Sequence, residues 1–407
     1  MKMIKMALLG GAALAVSAVA AQADDLTSMK AQIEALNARV AAMEAAPSVP
    51  AGYSLMTLSE GPAQLDPFGN AKEDASYLPT AHRISILPTA DAPAAASIDW
   101  SGFVRTMITY HDDGVKGDPI DTNVGGRAEL KIVAKNDTAV GQVGVDVRLR
   151  VNTGGNFLDT QDTWKSPKWW GWWAMTPELT LGGGFAGSQG STGYGVDGAC
   201  TCISTDNTDL YFNPGDSHQV ALMYKSGPIH SAIAIEDVTN LGHQFGGNSN
   251  SMGVAANVGF SGDTVNGAIN AAWHDGGRAD DSYIASLGLG FNLGMATVSA
   301  VGSVGQISNG QSFWGTSAIA SFAMTDAIHA ELGAGYKNYG TKKNPNLFGA
   351  PMQDDEMGIL AGFYYSPVSQ LTLGLEGEYR NHLSSNVKLV KDAKDEVYAG
   401  FVTVWSF

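Results

Sequence analysis

From Ile98 to the C-terminus, the chain repeatedly places an apolar residue at every second position, the period of a β-strand with one greasy and one polar face. Between residues 142 and 152, Val143, Val145, Val147, Leu149 and Val151 share one face, and Gln142, Asp146, Arg148, Arg150 and Asn152 share the other. The split recurs. Ala128, Leu130 and Ile132 oppose Arg127, Glu129 and Lys131; Leu371, Leu373, Leu375 and Tyr379 oppose Thr372, Glu376, Glu378 and Arg380. The last strand, residues 396 to 407, carries Val397, Ala399, Phe401, Thr403, Trp405 and Phe407 on one face. A chain end this apolar frays unless a sheet holds it. Pairing it with the first strand, Ile98 to Tyr110, closes the sheet on itself and leaves no edge.

The connections are of two kinds, and they alternate. Turn residues stand at Asn136-Asp137, Thr176-Pro177, Ser226 to Pro228, Ser261 to Asp263, Leu293-Gly294, Thr325-Asp326 and Ser366 to Ser369. Longer loops stand near 111–124, 153–166, 187–217, 237–250, 275–282, 303–311, 338–354 and 382–395. Seven turns and eight loops separate about sixteen strands, with both chain ends on the short-turn side. A soluble sandwich has no reason to gather its long connections at one end. The expected fold is therefore all-β: a 16-stranded antiparallel transmembrane β-barrel over 97–407, apolar outside and wet inside. The strands Tyr283 to Asn292 and Met295 to Val304 depart from the pattern, with small residues on both faces. Packing against neighbouring subunits or folded-in loops would account for them.

Upstream, Lys2 and Lys5 precede an apolar run, Ala7 to Ala21, and a small-residue cleavage pattern, Ala21-Gln22-Ala23. This reads as a signal peptide over 1–23, too short to span a membrane, so the mature chain is expected to be exported. Leu26, Met29, Ile33, Leu36, Val40 and Met43 follow at spacings of 3 and 4, an a/d seam over 24–46. An intermolecular coiled coil fits that narrow stripe better than a helix docked on the barrel, and a homotrimer is expected. Seven prolines lie within 47–96, a linker with short ordered pieces expected near 53–58 and 83–87. It either spans the periplasm or enters the lumen.

Composition agrees with a barrel: Gly is 50 of 407 residues and charged residues are 16%. The net charge of −16 disfavours nucleic acid as a partner, because phosphate contacts need an excess of Lys and Arg. It leans a channel weakly toward cations.

Candidate chemistry lies on the polar face. The loop 187–217 carries Asp197, Asp206, Asp209 and Asp216 without Lys or Arg, whereas the first three strands offer Arg105, Arg127, Lys131, Arg148 and Arg150, balanced in part by Glu129 and Asp146. Folded inward, the loop sets an acidic wall against a basic one, and such charge rings tune selectivity. Lying over the outer surface, it leaves the arginines to pair with Glu129 and Asp146. Cys200 and Cys202 read as a local disulfide rather than a metal site, for which His218 is the one nearby extra ligand. No cofactor is expected. The eight histidines show no spacing suited to catalysis, so no enzyme activity is expected. Trp164, Trp169, Trp170, Trp172 and Trp173 suit an interfacial belt or subunit packing, or else an aromatic track for a selected solute.

The signal peptide, the terminal Trp405-Ser-Phe407, the eight-loop alternation and the acidic loop opposite Arg-rich early strands resemble the trimeric general porins of Gram-negative outer membranes. The heptads and Pro-rich link before Trp100-Ser-Gly-Phe-Val-Arg105 resemble their alphaproteobacterial branch. The resemblance implies passive diffusion of small hydrophilic solutes and ions, a constriction made by the inward-folded third loop, and a homotrimer amid outer-membrane lipid and lipopolysaccharide. It also implies that Trp405 and Phe407 are read by the outer-membrane insertion machinery. A substrate-selective channel for sugars or organic anions is the alternative.

Overall fold

The computed structural model describes residues 56–62, 80–86, 96–112, 114, 120–153, 163–203, 214–237, 252–276, 280–307, 310–340, 355–382 and 395–407. The signal segment and the heptad seam lie outside these residues. The chain forms two compact units. One, Met1–Met56 with Ile86–Ala95, lies almost wholly outside the described residues; the other joins Thr57–Ser85 to Ala96–Phe407 and contains the barrel.

Two short strands come first, β1 (Met56–Pro62) and β2 (Thr80–Ile86). Sixteen wall strands follow: β3 (Ala96–Asp112), β4 (Asp121–Thr138), β5 (Gly141–Thr153), β6 (Thr163–Ala174), β7 (Leu179–Gly187), β8 (Asp216–Ser226), β9 (Ile229–Asp237) and β10 (Met252–Ser261) make one half. The other half is β11 (Val265–His274), β12 (Ser282–Asn292), β13 (Ala296–Gln306), β14 (Ser312–Thr325), β15 (Ile328–Tyr339), β16 (Asp355–Val368), β17 (Leu371–His382) and β18 (Asp395–Ser406). Each pairs antiparallel with the next, and β18 returns to β3 in a register running from Val397 opposite Asp112 to Ser406 opposite Phe103. The ring is closed. Reciprocal bonds seal it, from Gly102 N to Phe407 O at 3.3 Å and from Phe407 N to Gly102 O at 3.0 Å.

The expected strand count and closure are thus observed, and the long loops fall where the alternation placed them. Two turns differ: β4 runs through Asn136-Asp137 to Thr138 and the chain reverses at Ala139-Val140, and β16 runs through Ser366 to Val368 and the chain reverses at Ser369-Gln370. Thr138 donates its hydroxyl to Gly141 O, which completes the first of these turns three residues later than the Asn-Asp signal suggests. Within the Pro-rich 47–96 stretch, β1 and β2 overlap the pieces expected near 53–58 and 83–87.

The apolar stripe is the exposed one. Val104, Ile108, Leu149, Leu375 and Phe401 are at least 40% exposed, while Arg105, Glu129 and Lys131 are at most 5% exposed. A water-soluble sheet would show the reverse; a transmembrane barrel turns its greasy face to hydrocarbon. Trp164, Trp169 and Trp173 stand on the exposed face, whereas Trp170 and Trp172 face inward.

Prolines within wall strands sit where the ladder already slips. Pro167 lies in the irregularity between Arg148 and Arg150, where the Ser166 hydroxyl donates to Arg148 O; Pro367 lies in the one between Tyr365 and Val368. Lacking an N–H, proline is tolerated at such bulges. Inward glycines serve the opposite purpose of making room. Gly144 stands opposite Trp172, Gly253 opposite His274, Gly305 opposite Phe313 and Gly374 opposite Tyr364, and in each case the partner's ring occupies the space that a Cβ would need. Rings laid flat over glycines keep the inner wall filled without strain.

Gly144→Leu would drive its side chain into the Trp172 ring. It is expected to destabilise the barrel by about 1–3 kcal/mol, read as a lower urea midpoint in detergent. Adding Trp172→Ala should recover part of that loss; an unchanged midpoint for Gly144→Leu would refute the packing account.

Candidate pore constriction

The loop between β7 and β8 enters the barrel and follows its inner wall. At its neck Ser188 N donates to Gly215 O at 2.9 Å. Ser188 Oγ and Gln189 N then donate to the two oxygens of Glu236 at 2.8 and 3.0 Å. Asn270 Nδ2 reaches Ser191 O at 2.7 Å. Further on, Gly195 N bonds Ser299 Oγ, and Val196 N bonds Ser317 Oγ, at 2.9 and 3.1 Å. Here a short helix, α1 (Gly195–Ala199), turns the chain; Gly195 at φ +73° starts it in a conformation that favours glycine.

Past the helix, Thr201 donates from its N–H at 2.9 Å and its hydroxyl at 2.6 Å to Glu331. Ile203 N bonds Glu376 Oε1 at 2.6 Å, an oxygen that also accepts the Tyr364 hydroxyl at 2.8 Å. The loop therefore touches the wall from β9 round to β17. A buried backbone N–H without an acceptor is costly, and the wall supplies one at each of these points.

Small wall residues let the loop come close. Gly190 lies against Ala272, and Tyr194 lies over Gly288, where any Cβ would collide with it. This accounts for the Gly, Ala and Ser content of β12 and β13, whose inward faces carry Ser286, Gly288, Ser299 and Ser303. Burial raises the Tyr194 phenol's pKa. Val196, Cys200 and Cys202 pack with Ile319 and Leu360, and Ile203 joins Phe103, Met107, Val402 and Val404 at the closing seam.

Cys200 and Cys202 are joined to each other. Their sulfurs and a Glu331 oxygen lie within 4.8 Å of one another, but the bonded sulfurs offer no thiolate for a metal. His218 is far from this group in role as well as place: it faces outward beside Trp169 and Phe185, with ring centroids at 5.3 and 5.0 Å.

Among the described contacts of the loop, none is to β4, β5 or β6. That wall is basic. Arg105 and Arg127 are cross-strand neighbours, as are Lys131 and Arg148. Arg127 Nε donates to Asn152 Oδ1 at 2.8 Å, and Arg150 Nε to Glu129 Oε2 at 2.5 Å. Arg148 stands 3.8 Å from Glu129 and 3.7 Å from Asp146, which Lys168 Nζ approaches to 3.2 Å. Of the acidic residues singled out in the loop, Asp216 opens β8 opposite Gly187 and is exposed. Asp197 lies in α1 with its side chain outside the described set, and Asp206 and Asp209 lie outside the described residues.

Sequence reasoning missed Lys168 because the Pro167 irregularity resets the alternation just before it. It also missed Glu236, Glu331 and Glu376 as loop holders, since nothing local marks a strand carboxylate for a loop far away in sequence. A second charged group escaped notice at the long-loop end of β15–β18. There Arg380 meets Glu356 at 3.1 Å, Glu396 at 3.5 Å and Glu378 at 3.6 Å, and Lys337 meets Glu356 at 3.3 Å.

No protein-family model and no curated protein matches the sequence. Solved structures do. The outer-membrane channel DcaP of Acinetobacter baumannii is 15% identical, with 77% of this chain and 97% of that one covered and a TM-score of 0.56. The anion-selective porin from Comamonas acidovorans is 10% identical, with 77% and 100% covered and a TM-score of 0.56. OmpT of Vibrio cholerae in its trimer form is 13% identical, with 77% and 99% covered and a TM-score of 0.53. The fold is that of an outer-membrane porin. Within this porin fold the loop and the basic wall face each other across the interior.

Glu331→Ala removes the acceptor of two bonds from Thr201. Hydrogen bonds to a charged group contribute about 1.5–3 kcal/mol, so amide-exchange protection over 195–203 is expected to fall at least about tenfold, with Glu331→Gln losing less. Unaltered protection in Glu331→Ala would show that the carboxylate does not hold the loop.

Proposed function

We propose that the chain is an outer-membrane porin of a Gram-negative bacterium, a water-filled channel for passive diffusion of small hydrophilic solutes and ions. The observation that carries this reading is a closed barrel whose outer face is apolar, whose inner face is charged, and whose long loop is fastened inside opposite arginines. Charge placed around a narrow water path selects ions through its local field. In this reading Arg105, Arg127, Lys131, Arg148 and Arg150 line the pore with Glu129, Asp146 and the loop's Asp197, Asp206, Asp209 and Asp216.

The domain plan belongs to the same proposal: a signal peptide cleaved after Ala23, a coiled-coil helix at 24–46, a periplasmic or lumenal link at 47–96 and the barrel from 97. The seam Leu26 to Met43 supports a homotrimer, as does the trimer form of the Vibrio cholerae protein with the same fold. Trp405 and Phe407 at the closing strand serve as the insertion signal, and lipid with lipopolysaccharide surrounds the wall.

A general pore fits better than a sugar-selective one. Trp170 and Trp172 face inward but are 3% and 7% exposed, wedged over Gly182 and Gly144, and so present no open aromatic track. The weak cation lean drawn from net charge is opposed locally, since the described β3–β6 wall carries more cations than carboxylates.

In a planar bilayer under a salt gradient, Arg148→Ala and Arg105→Ala are expected to shift the reversal potential toward cation preference. Asp206→Asn and Asp209→Asn should shift it toward anions. Identical potentials in all four variants would remove the constriction.

A further inference from the structure

The two strands that precede the barrel are bonded to opposite sides of it. β1 hydrogen-bonds with β10 and with β2, and β2 hydrogen-bonds with both β18 and β3. Around the ring, β4 to β9 separate β3 from β10 on one side, and β11 to β17 separate β10 from β18 on the other. The ribbon therefore joins two walls that face each other. A sixteen-stranded barrel measures about 30 Å between opposite backbones, and a seven-residue strand about 23 Å, so two overlapping strands suffice to cross it.

Its depth is set by an ion pair. Arg83 on β2 donates through Nε to Asp99 Oδ1 at 2.6 Å and through Nη2 to Oδ2 at 3.0 Å, a two-pronged bond. Asp99 faces the barrel interior and is 4% exposed, three residues from the start of β3 at the short-turn end. Ala81, also on β2, is buried. By contrast, every residue from Met56 to Glu60 on β1 is exposed, on both faces, a pattern that the wall strands show only at their ends, as at Phe322 to Thr325. A strand wet on both sides yet bonded to the wall is standing in water.

We propose that β1 and β2 form a strap across the short-turn mouth of the barrel, moored by Arg83 to Asp99, and that it makes a second filter in series with the loop at 188–203. The strap rests on the reading of the chain as a diffusion channel. Its effect is steric: a strap laid across the mouth divides it into narrower openings, so solutes that clear the loop must still pass beside it. Arg83 and Asp99 thereby become size-determining residues remote from the basic wall of β4–β6.

The test uses the full chain in planar bilayers, with unitary conductance and exclusion of graded polyethylene glycols as readouts. Arg83→Asp and Ile84→Pro, the latter removing a ladder donor, are expected to raise conductance by roughly one and a half- to twofold and to admit larger polymers. Asp99→Arg added to Arg83→Asp restores the pair and should return both readouts toward wild type. Channels whose conductance and polymer cut-off are the same in wild type, Arg83→Asp and Ile84→Pro would overturn the strap, as would a double variant that restores neither. Amide exchange over 80–85 reads the mooring without any channel: protection unchanged by Arg83→Asp overturns it. Wild-type protein that forms no channel while these amides lose protection in Arg83→Asp would instead overturn the diffusion reading and leave the mooring standing.

Discussion

A sheet immersed in hydrocarbon must satisfy every backbone N–H and C=O within itself, because nothing outside can accept or donate. The last strand has to find the first, and here it does so to the final residue, with Phe407 and Gly102 exchanging both of their bonds. That closure fixes the parity of all sixteen strands at once. Sliding β18 by one residue would turn Phe401 and Trp405 inward and push Val402 and Val404 out. The charged interior follows from the same requirement, since side chains kept out of lipid have only the lumen to enter.

The lumen then has to be filled or left wet, and the two halves of the wall solve this differently. From β9 to β17 the inward positions are mostly Gly, Ala and Ser, interrupted by Glu236, Glu331 and Glu376. Small residues let a loop lie against the wall, and the carboxylates accept its amide protons at the points where it turns. From β4 to β6 the inward positions include the long cations Arg127, Lys131, Arg148, Arg150 and Lys168. One side holds the loop; the other faces it. The flat rings over Gly144 and Gly182 serve the basic half, closing gaps between strands that would otherwise leave holes behind the arginines.

How much of this the sequence discloses depends on whether a feature is local. The alternation of Val143 to Val151 with Arg148 and Arg150 is local, so strand faces, the strand total and the loop positions were all legible. Turn positions were legible at Gly227 and Gly294, which take positive φ, and shifted at Asn136-Asp137, where Thr138 and Gly141 make the competing turn, and at Ser366 to Ser369, where Pro367 is absorbed in an irregularity of β16. Lys168 was hidden by the proline irregularity just before it. The carboxylates that hold the loop were visible only as members of a polar stripe, for a bond between Ile203 and Glu376 joins residues brought together by closure alone. Even so, the small residues of β12 and β13 carried the signal, since a strand without bulk on its inner face leaves room for something else. The expected helical seam and the aspartates at 206 and 209 lie outside the described residues, and there the sequence stands by itself.

Net charge is a poor guide to the field inside such a barrel, and the reason is spatial. A formal charge of −16 sums over the whole chain, including residues that never face the lumen. An ion inside the barrel responds to charges within about 8–10 Å at physiological salt and to much less beyond. Within that radius on β3–β6 it meets Arg105, Arg127, Lys131, Arg148, Arg150 and Lys168 against Asp99, Glu129 and Asp146, of which Asp99 is already bonded to Arg83. On the facing side Glu331 and Glu376 are engaged by loop amides, which offset part of their field. The acidic chain thus presents a locally basic wall, and the distribution of charge, rather than its total, sets the field there.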